Sequence, residues 1–406
     1  MSLNALTAPR LFNGEAFVEG HAVLVEADTI LGLVPRADIP SHAAVTTLPS
    51  GVLAPGFVDA QVNGGGGFLF NQSPDVATLE GMVAAHRRHG STALLPTYIT
   101  DTAEGMKSAI AAARQAIIDG VPGMAGIHLE GPFLSVPRKG AHDPALIRPL
   151  TEADVELILS SGIETVLLTV APENAPLHLI RRLADGGVIV SLGHTDTSYE
   201  AVMAAADAGA TGITHLFNAM SPLQGRHPGV TGAALDHGGL WVGIIADGLH
   251  VHPGSLSLAL RAKKAPGRLF LVTDAMPTAG DANDVFYLNG RKVTRRDGAL
   301  TLEDGTLAGS DLTMDAALRY SVGHLGIGLG EALRMASLYP AQFLRLDSRR
   351  GRLAPRYRAD LVHLDEQLTA RGVWVGGRKL AGSSEFSYQE SLKMTFGSAS
   401  RFSPNL

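Results

Sequence analysis

Two short β-branched runs, each ending on a histidine, most constrain what this chain can fold into. Val188-Ile189-Val190-Ser191-Leu192 leads into Gly193-His194-Thr195-Asp196, and Gly212-Ile213-Thr214 leads into His215-Leu216-Phe217-Asn218-Ala219-Met220. The helical stretch Tyr199 to Gly209 joins them, so the pair reads as a βαβ unit with an imidazole at the carboxyl end of each strand. Parallel sheets place ligands and catalysis at that end. Two imidazoles meeting there point to a metal site.

The same rhythm runs through most of the chain. From Val52 to about Arg345, alanine-rich helical runs alternate with strand-like runs at Phe57 to Val62, Ser91 to Tyr98, Gly126 to Leu129, Thr165 to Val170, Val188 to Leu192, Gly212 to Leu216, Leu240 to Ala246 and Leu269 to Thr273. Eight such runs predict an α/β fold closed as a (β/α)8 TIM barrel, which commonly takes about 250 residues. The chain has 406, which leaves room for an accessory domain. Ahead of the barrel, Ala22-Val23-Leu24-Val25-Glu26 and Thr29-Ile30-Leu31-Gly32-Leu33-Val34-Pro35 predict short antiparallel strands. Behind it, Ala359-Asp360-Leu361-Val362-His363-Leu364 and Val373-Trp374-Val375 are again strand-like. The expected division is 1–52 for the first part of a small β-sandwich domain, 53–348 for the barrel, and 349–406 for the second part of the sandwich with a C-terminal tail. The tail beyond Gly382, rich in Ser and Phe, suggests no role.

Composition narrows the chemistry. With no cysteine, thiolate ligands and disulfides are excluded, and a metal falls to His, Asp, Glu, Asn or Gln. A formal charge of −6 from 33 basic and 39 acidic residues, with no basic run, gives no footing for nucleic acid or a membrane surface. A small substrate is expected. Met1 to Leu11 has no charged n-region followed by an apolar core, and no apolar run approaches about 18 residues, so the expected location is cytoplasmic.

Candidate ligands and catalytic groups lie at the strand tips. Glu130, in Gly126-Ile127-His128-Leu129-Glu130-Gly131-Pro132-Phe133, ends the third run and completes a Glu130/His194/His215 set, three protein ligands that leave room for water and substrate. Asp274, at the tip of the eighth run in Val272-Thr273-Asp274-Ala275-Met276, is placed to take a proton from water and return it to a leaving amine; capping the next helix is its competing role. Gln61 and Asn63 share one side of the first strand, where two histidines would grip an ion, but as neutral amides they are at best weak candidates for a second site. Gly64-Gly65-Gly66-Gly67 lacks the lysine and helix of a phosphate cradle and reads as a flexible loop.

Taken in order, His-Leu-Glu-Gly-Pro-Phe, Gly-His-Thr, Thr-His-Leu-Phe-Asn-Ala-Met, Asp-Gly-Leu-His and Val-Thr-Asp-Ala-Met closely resemble the N-acetylglucosamine-6-phosphate deacetylase family of the amidohydrolase superfamily. The likeness runs from Pro55 to about Leu361. Gln61 and Asn63, with no lysine in the fourth run, resemble its single-metal branch. The resemblance implies hydrolysis of N-acetyl-D-glucosamine 6-phosphate to glucosamine 6-phosphate and acetate. It implies one divalent ion on Glu130, His194 and His215, with zinc expected and iron, cobalt or manganese acceptable to the same donors. Asp274 would be the proton shuttle and His142 the oxyanion contact. Ala141, Asn218, Ala219, Leu307, Ala308 and Gly309 would contact the sugar, with Asp284 to Leu302 as a lid. Arg226 and His250 would clamp the phosphate, Arg226 from the other subunit of a homodimer; His252 competes with His250 for that contact. Two other functions stay open: an amidohydrolase acting on a cyclic amide or N-acyl amino acid, and a non-catalytic metal-binding barrel.

Overall fold

Each of eight parallel strands is followed by a helix, and the strands hydrogen-bond in sequence order. In the computed structural model, which describes residues 3–380, they are β1 (Phe57–Val62), β2 (Ser91–Ile99), β3 (Ile127–Glu130), β4 (Val166–Val170), β5 (Ile189–Leu192), β6 (Gly212–Ile213), β7 (Trp241–Ile244) and β8 (Leu269–Leu271). The helices are α1 (Val76–Arg87), α2 (Ala103–Ile118), α3 (Glu152–Leu159), α4 (Leu177–Asp185), α5 (Tyr199–Asp207), α6 (Gly229–Asp236), α7 (Pro253–Ala262) and α8 (Met314–His324). A parallel bridge from Val62 to Ala275, with the Asp274 amide donating to the Gln61 carbonyl at 2.9 Å, closes the ring between the last strand and the first.

The strands are buried on both faces, against helices outside and one another inside, which is why they read as near-continuous apolar runs. Side-chain caps set several helix starts: Asp75 for α1, Thr102 for α2, the Thr151/Asp154 capping box for α3 and Ser198 for α5. Three strands stop short of their expected ends. β6 ends at Ile213 rather than Leu216, β7 at Ile244 rather than Ala246, and β8 at Leu271 rather than Thr273. Beyond β6 and β8 the backbone turns left-handed, with φ of 32° at His215 and 53° at Asp274, and leaves the ladder.

Two sheets at one side of the barrel form the small β-sandwich. One holds Thr29–Pro35, His21–Glu26, Leu3–Thr7 and Ala44–Thr47, in that order. The other holds Arg378–Leu380, Ala370–Val375, Leu361–Leu364, Val52–Pro55, Arg10–Phe12 and Phe17–Glu19, and so draws on both ends of the chain. Leu6, Val23 and Ile30 of the first sheet pack against Leu53, Leu361 and Trp374 of the second. The opening strands are not all antiparallel. Ala44–Thr47 runs parallel to Leu3–Thr7, because a short helical crossover at Arg36–Asp38 carries the chain to the far edge of the sheet. The tail beyond Gly382 lies outside the described residues. Among them, no helix is long and apolar enough to cross a membrane.

The glycine run is not a loose loop. Gly64–Gly65 pairs with Phe68–Leu69 in a tight hairpin, and a Cβ at Gly65 would lie 2.5 Å from the His86 ring. Between β8 and α8 the chain builds an antiparallel sheet of Val285–Leu288, Arg291–Arg296, Ala299–Leu302 and Leu307–Ser310. It seats Leu288, Val293 and Leu300 against Ile99 and Met276 of the barrel mouth.

Asp315 on α8 ties the barrel to the sandwich. It accepts from Thr313 Oγ1 at 2.7 Å, from Arg319 at 3.0 Å and from the Ala370 amide at 3.4 Å, with His89 Nδ1 at 3.4 Å. Burial pushes its carboxyl up, but the His89, Thr313 and Arg319 interactions outweigh it and leave the group well below its usual range. A depressed carboxyl contributes stability that is present above its unfolded value, near 3.8, and is lost as pH falls below it. Asp315→Asn is therefore expected to lose about 1–3 kcal/mol in urea unfolding at pH 7, with the gap to wild type closing below about pH 4.

Candidate active site

A cavity of about 340 Å³ opens at the carboxyl ends of the barrel strands, and Glu130, His194 and His215 form its floor. β3 delivers Glu130, and the residues just past β5 and β6 deliver the two imidazoles. Glu130 Oε1 lies 3.2 Å from His194 Nε2 and 3.0 Å from His215 Nε2, and the two ring nitrogens are 3.1 Å apart. Burial pushes the Glu130 carboxyl up, yet bonds from the two imidazoles leave it well below its usual range. The Arg138 carbonyl accepts from His194 Nδ1 at 2.9 Å, which fixes a proton there, so that in the neutral ring Nε2 offers its electron pair to the cavity.

This donor set fits a divalent cation. One carboxylate oxygen and two imidazole nitrogens, all buried, lie within 4.8 Å of one another.

Asp274 faces the same cavity. It does not cap a helix: its Oδ1 accepts from Asn63 Nδ2 at 2.7 Å and Gln61 Nε2 at 3.0 Å, and Gln61 also donates to Glu130 at 3.1 Å. The two amides thus spend their nitrogens holding carboxylates in place. Burial and the charge of Glu130 push Asp274 up to about 6. His194, His215 and Asp274 all take left-handed backbone, with φ of 47°, 32° and 53°. Such geometry costs of order 1 kcal/mol or more per non-glycine residue and concentrates at functional sites.

His142 sits with its ring centroid 4.4 Å from that of His194. Burial and the neighbouring His194 charge hold it well below its usual range, so the ring is neutral. Its Nδ1 lies 2.7 Å from Thr100 Oγ1, whose other carbonyl partner is at 3.5 Å, too long to compete. A hydroxyl that donates to Nδ1 leaves the ring proton on Nε2.

The remaining sequence candidates separate. Ala141, Asn218, Ala219, His250, Leu307 and Gly309 line the cavity, whereas Ala308 is fully buried in the core of the covering sheet. His252 caps α7 and accepts from the Gly254 amide, which leaves His250 as the histidine facing the cavity. Arg226 is exposed and outside the lining.

Sequence reasoning missed the layer beneath. His128 Nδ1 meets Thr97 Oγ1 at 3.1 Å and its Nε2 meets Thr169 Oγ1 at 2.8 Å; Thr214 Oγ1 joins Thr169 at 2.8 Å and Ser191 at 2.7 Å. This chain of bonds crosses the strands that carry all three candidate ligands. His128 stands two residues before Glu130, on the same strand face, and that spacing was the available signal.

A (β/α)8 barrel with a Glu/His/His floor and a carboxylate beyond its last strand defines a metal-binding hydrolase scaffold. The chain belongs to the amidohydrolase family, whose family model matches residues 52–396. It is 45% identical over 333 residues to the N-acetylgalactosamine-6-phosphate deacetylase of Shewanella sp. (strain ANA-3), covering 82% of this chain and 84% of that one. It is 35% identical over 361 residues to the N-acetylglucosamine-6-phosphate deacetylase of Haemophilus influenzae, covering 88% and 94%. The crystal structure of N-acetylglucosamine-6-phosphate deacetylase from Pasteurella multocida matches with a TM-score of 0.90 at 35% identity, over 94% of this chain and 100% of that one.

Equilibrium dialysis of chelator-stripped protein against zinc checks the ligand set. Wild type, Gln61→Ala and Asn63→Ala are expected to hold one equivalent. Glu130→Ala, His194→Ala and His215→Ala should weaken binding by more than the ~10–100-fold typical of groups behind a ligand.

Proposed function

We propose that this chain is a cytoplasmic deacetylase that hydrolyses the acetamide of N-acetyl-D-glucosamine 6-phosphate to D-glucosamine 6-phosphate and acetate. The observation that carries the reading is Asp274 facing the same cavity as the Glu130/His194/His215 set. A single divalent ion on those three residues, zinc in this reading, supplies the Lewis acidity that acidifies water and polarises a carbonyl.

The chain's own groups do the rest. Asp274 has both amide bonds on Oδ1, which leaves Oδ2 to take the proton of the attacking water. His142, neutral and protonated on Nε2, donates to the acetyl oxygen as charge gathers there. Asp274 then passes its proton to the sugar nitrogen as the carbon–nitrogen bond breaks, acting first as base and then as acid. The push of its carboxyl toward neutrality suits both roles. Ala141, Asn218, Ala219, Leu307 and Gly309 hold the sugar, Ala308 backs that loop from the core of the covering sheet, and His250 faces the phosphate. The fork of Arg226, exposed on its own subunit, suits a phosphate in the cavity of the other subunit of a homodimer.

A second substrate has its own support: the relative at 45% identity is named for N-acetylgalactosamine 6-phosphate. Acetate release from both phosphorylated sugars, beside unphosphorylated N-acetylglucosamine, separates the readings. Chelator-stripped protein is expected to regain turnover of a phosphorylated sugar with one equivalent of zinc, and Asp274→Asn to lose ~10²–10⁴-fold. No turnover of any of the three with metal bound would redirect the reading to cyclic amides or N-acyl amino acids.

Mixing tests the shared site. Arg226→Ala and Asp274→Asn are each impaired alone, but a mixed dimer holds one intact pair of groups and should regain activity on subunit exchange. A mixture as inactive as its parents refutes the contribution of Arg226 across the interface.

A further inference from the structure

The turn after β7, Asp247-Gly248-Leu249-His250, is built around one carboxylate. Asp247 Oδ1 accepts from the backbone amides of Leu249 at 2.8 Å and His250 at 2.9 Å, while Oδ2 lies 2.6 Å from His250 Nδ1. Both side chains are nearly buried, at 10% and 6% exposure. Gly248 takes φ of 77°, and a Cβ there would lie 2.7 Å from the Tyr320 hydroxyl on α8, so the turn is packed in place. Burial pushes the Asp247 carboxyl up, and the His250 contact outweighs it and holds the group ionised.

We propose that Asp247 is a positioning residue that makes this site selective for a phosphate monoester, acting through His250. The inference rests on the reading of His250 as the phosphate contact. With Nδ1 bound to the carboxylate, the imidazole keeps one atom, Nε2, for the cavity, and its ring plane is set before substrate arrives. An Nε2–H held this way meets a phosphate oxygen in a fixed direction, in a bond that the phosphate charge strengthens. A sugar hydroxyl at the same place gains only an ordinary hydrogen bond, so the pre-set ring favours the phosphorylated substrate.

Asp247→Asn tests this because the amide keeps Oδ1 for the two backbone donors and sets an NH2 group against Nδ1. The turn survives, and the imidazole can no longer donate from Nδ1 to a charged partner. The readout is the ratio of kcat/KM for phosphorylated over unphosphorylated N-acetylhexosamine, measured with zinc-loaded enzyme. This ratio is expected to fall about ten- to a hundred-fold, through KM of the phosphorylated sugar, with Tm near wild type. In a His250→Ala background the same substitution should change the ratio no further. Asp247→Ser, whose hydroxyl also closes a turn, should lower the ratio likewise. An Asp247→Asn enzyme that keeps the wild-type ratio, or loses activity on both sugars alike, overturns the inference and leaves the deacetylase reading standing. A wild type that turns over neither sugar overturns both.

Discussion

The buried carboxylate of Glu130 is the constraint on which the site depends. A charge taken out of water is costly unless partners meet it inside. Here two imidazoles and the Gln61 amide close around one oxygen at 3.0–3.2 Å. Those partners come from β1 and from just beyond β5 and β6, distant in sequence, and only a closed ring of strands brings them together. The polar layer of His128, Thr97, Thr169, Thr214 and Ser191 lies below them and shares bonds across five adjacent strands. A barrel floor built this way fixes where each strand tip ends, and so where each functional group stands.

The tips are where the chain gives up regular structure. His194, His215 and Asp274 leave the ladder in left-handed backbone, which L-residues avoid without compensation. The parallel strands below them are rigid and buried, so local strain is held against a framework that does not relax. Asp274 shows the result. Its amide bonds back to β1 and closes the barrel, while its carboxylate is gripped by Gln61 and Asn63 and raised toward neutrality. One residue thus completes the fold and presents a proton-transfer group to the cavity.

Much of this was legible in the order of residues. Buried parallel strands must be apolar on both faces, so the eight runs stood out, and a polar residue closing such a run marked Glu130, His194, His215 and Asp274. Resemblance extended the reading to His142, His250 and the sugar contacts. Other features were hidden because their cause lies across the fold. Gln61 and Asn63 read as poor metal ligands, and their role as donors to Asp274 and Glu130 needs partners 69 and 211 residues away. His250 and His252 are indistinguishable by spacing, and only packing turned one to the cavity and the other to the cap of α7. The glycine run looked flexible because nothing local shows the His86 ring that its missing side chains admit.

The sequence by itself determined the alternation of strand and helix, the closure number of the barrel and the chemical type of each group at its mouth, since these follow from local periodicity and residue chemistry. Only the tertiary structure decided which atoms face one another. The tautomer of His194 and the bonds on Asp274 each depend on a partner supplied by a different strand or turn. Hydrogen bonds and charges act over a few ångströms in space, and separation along the chain carries no information about that distance.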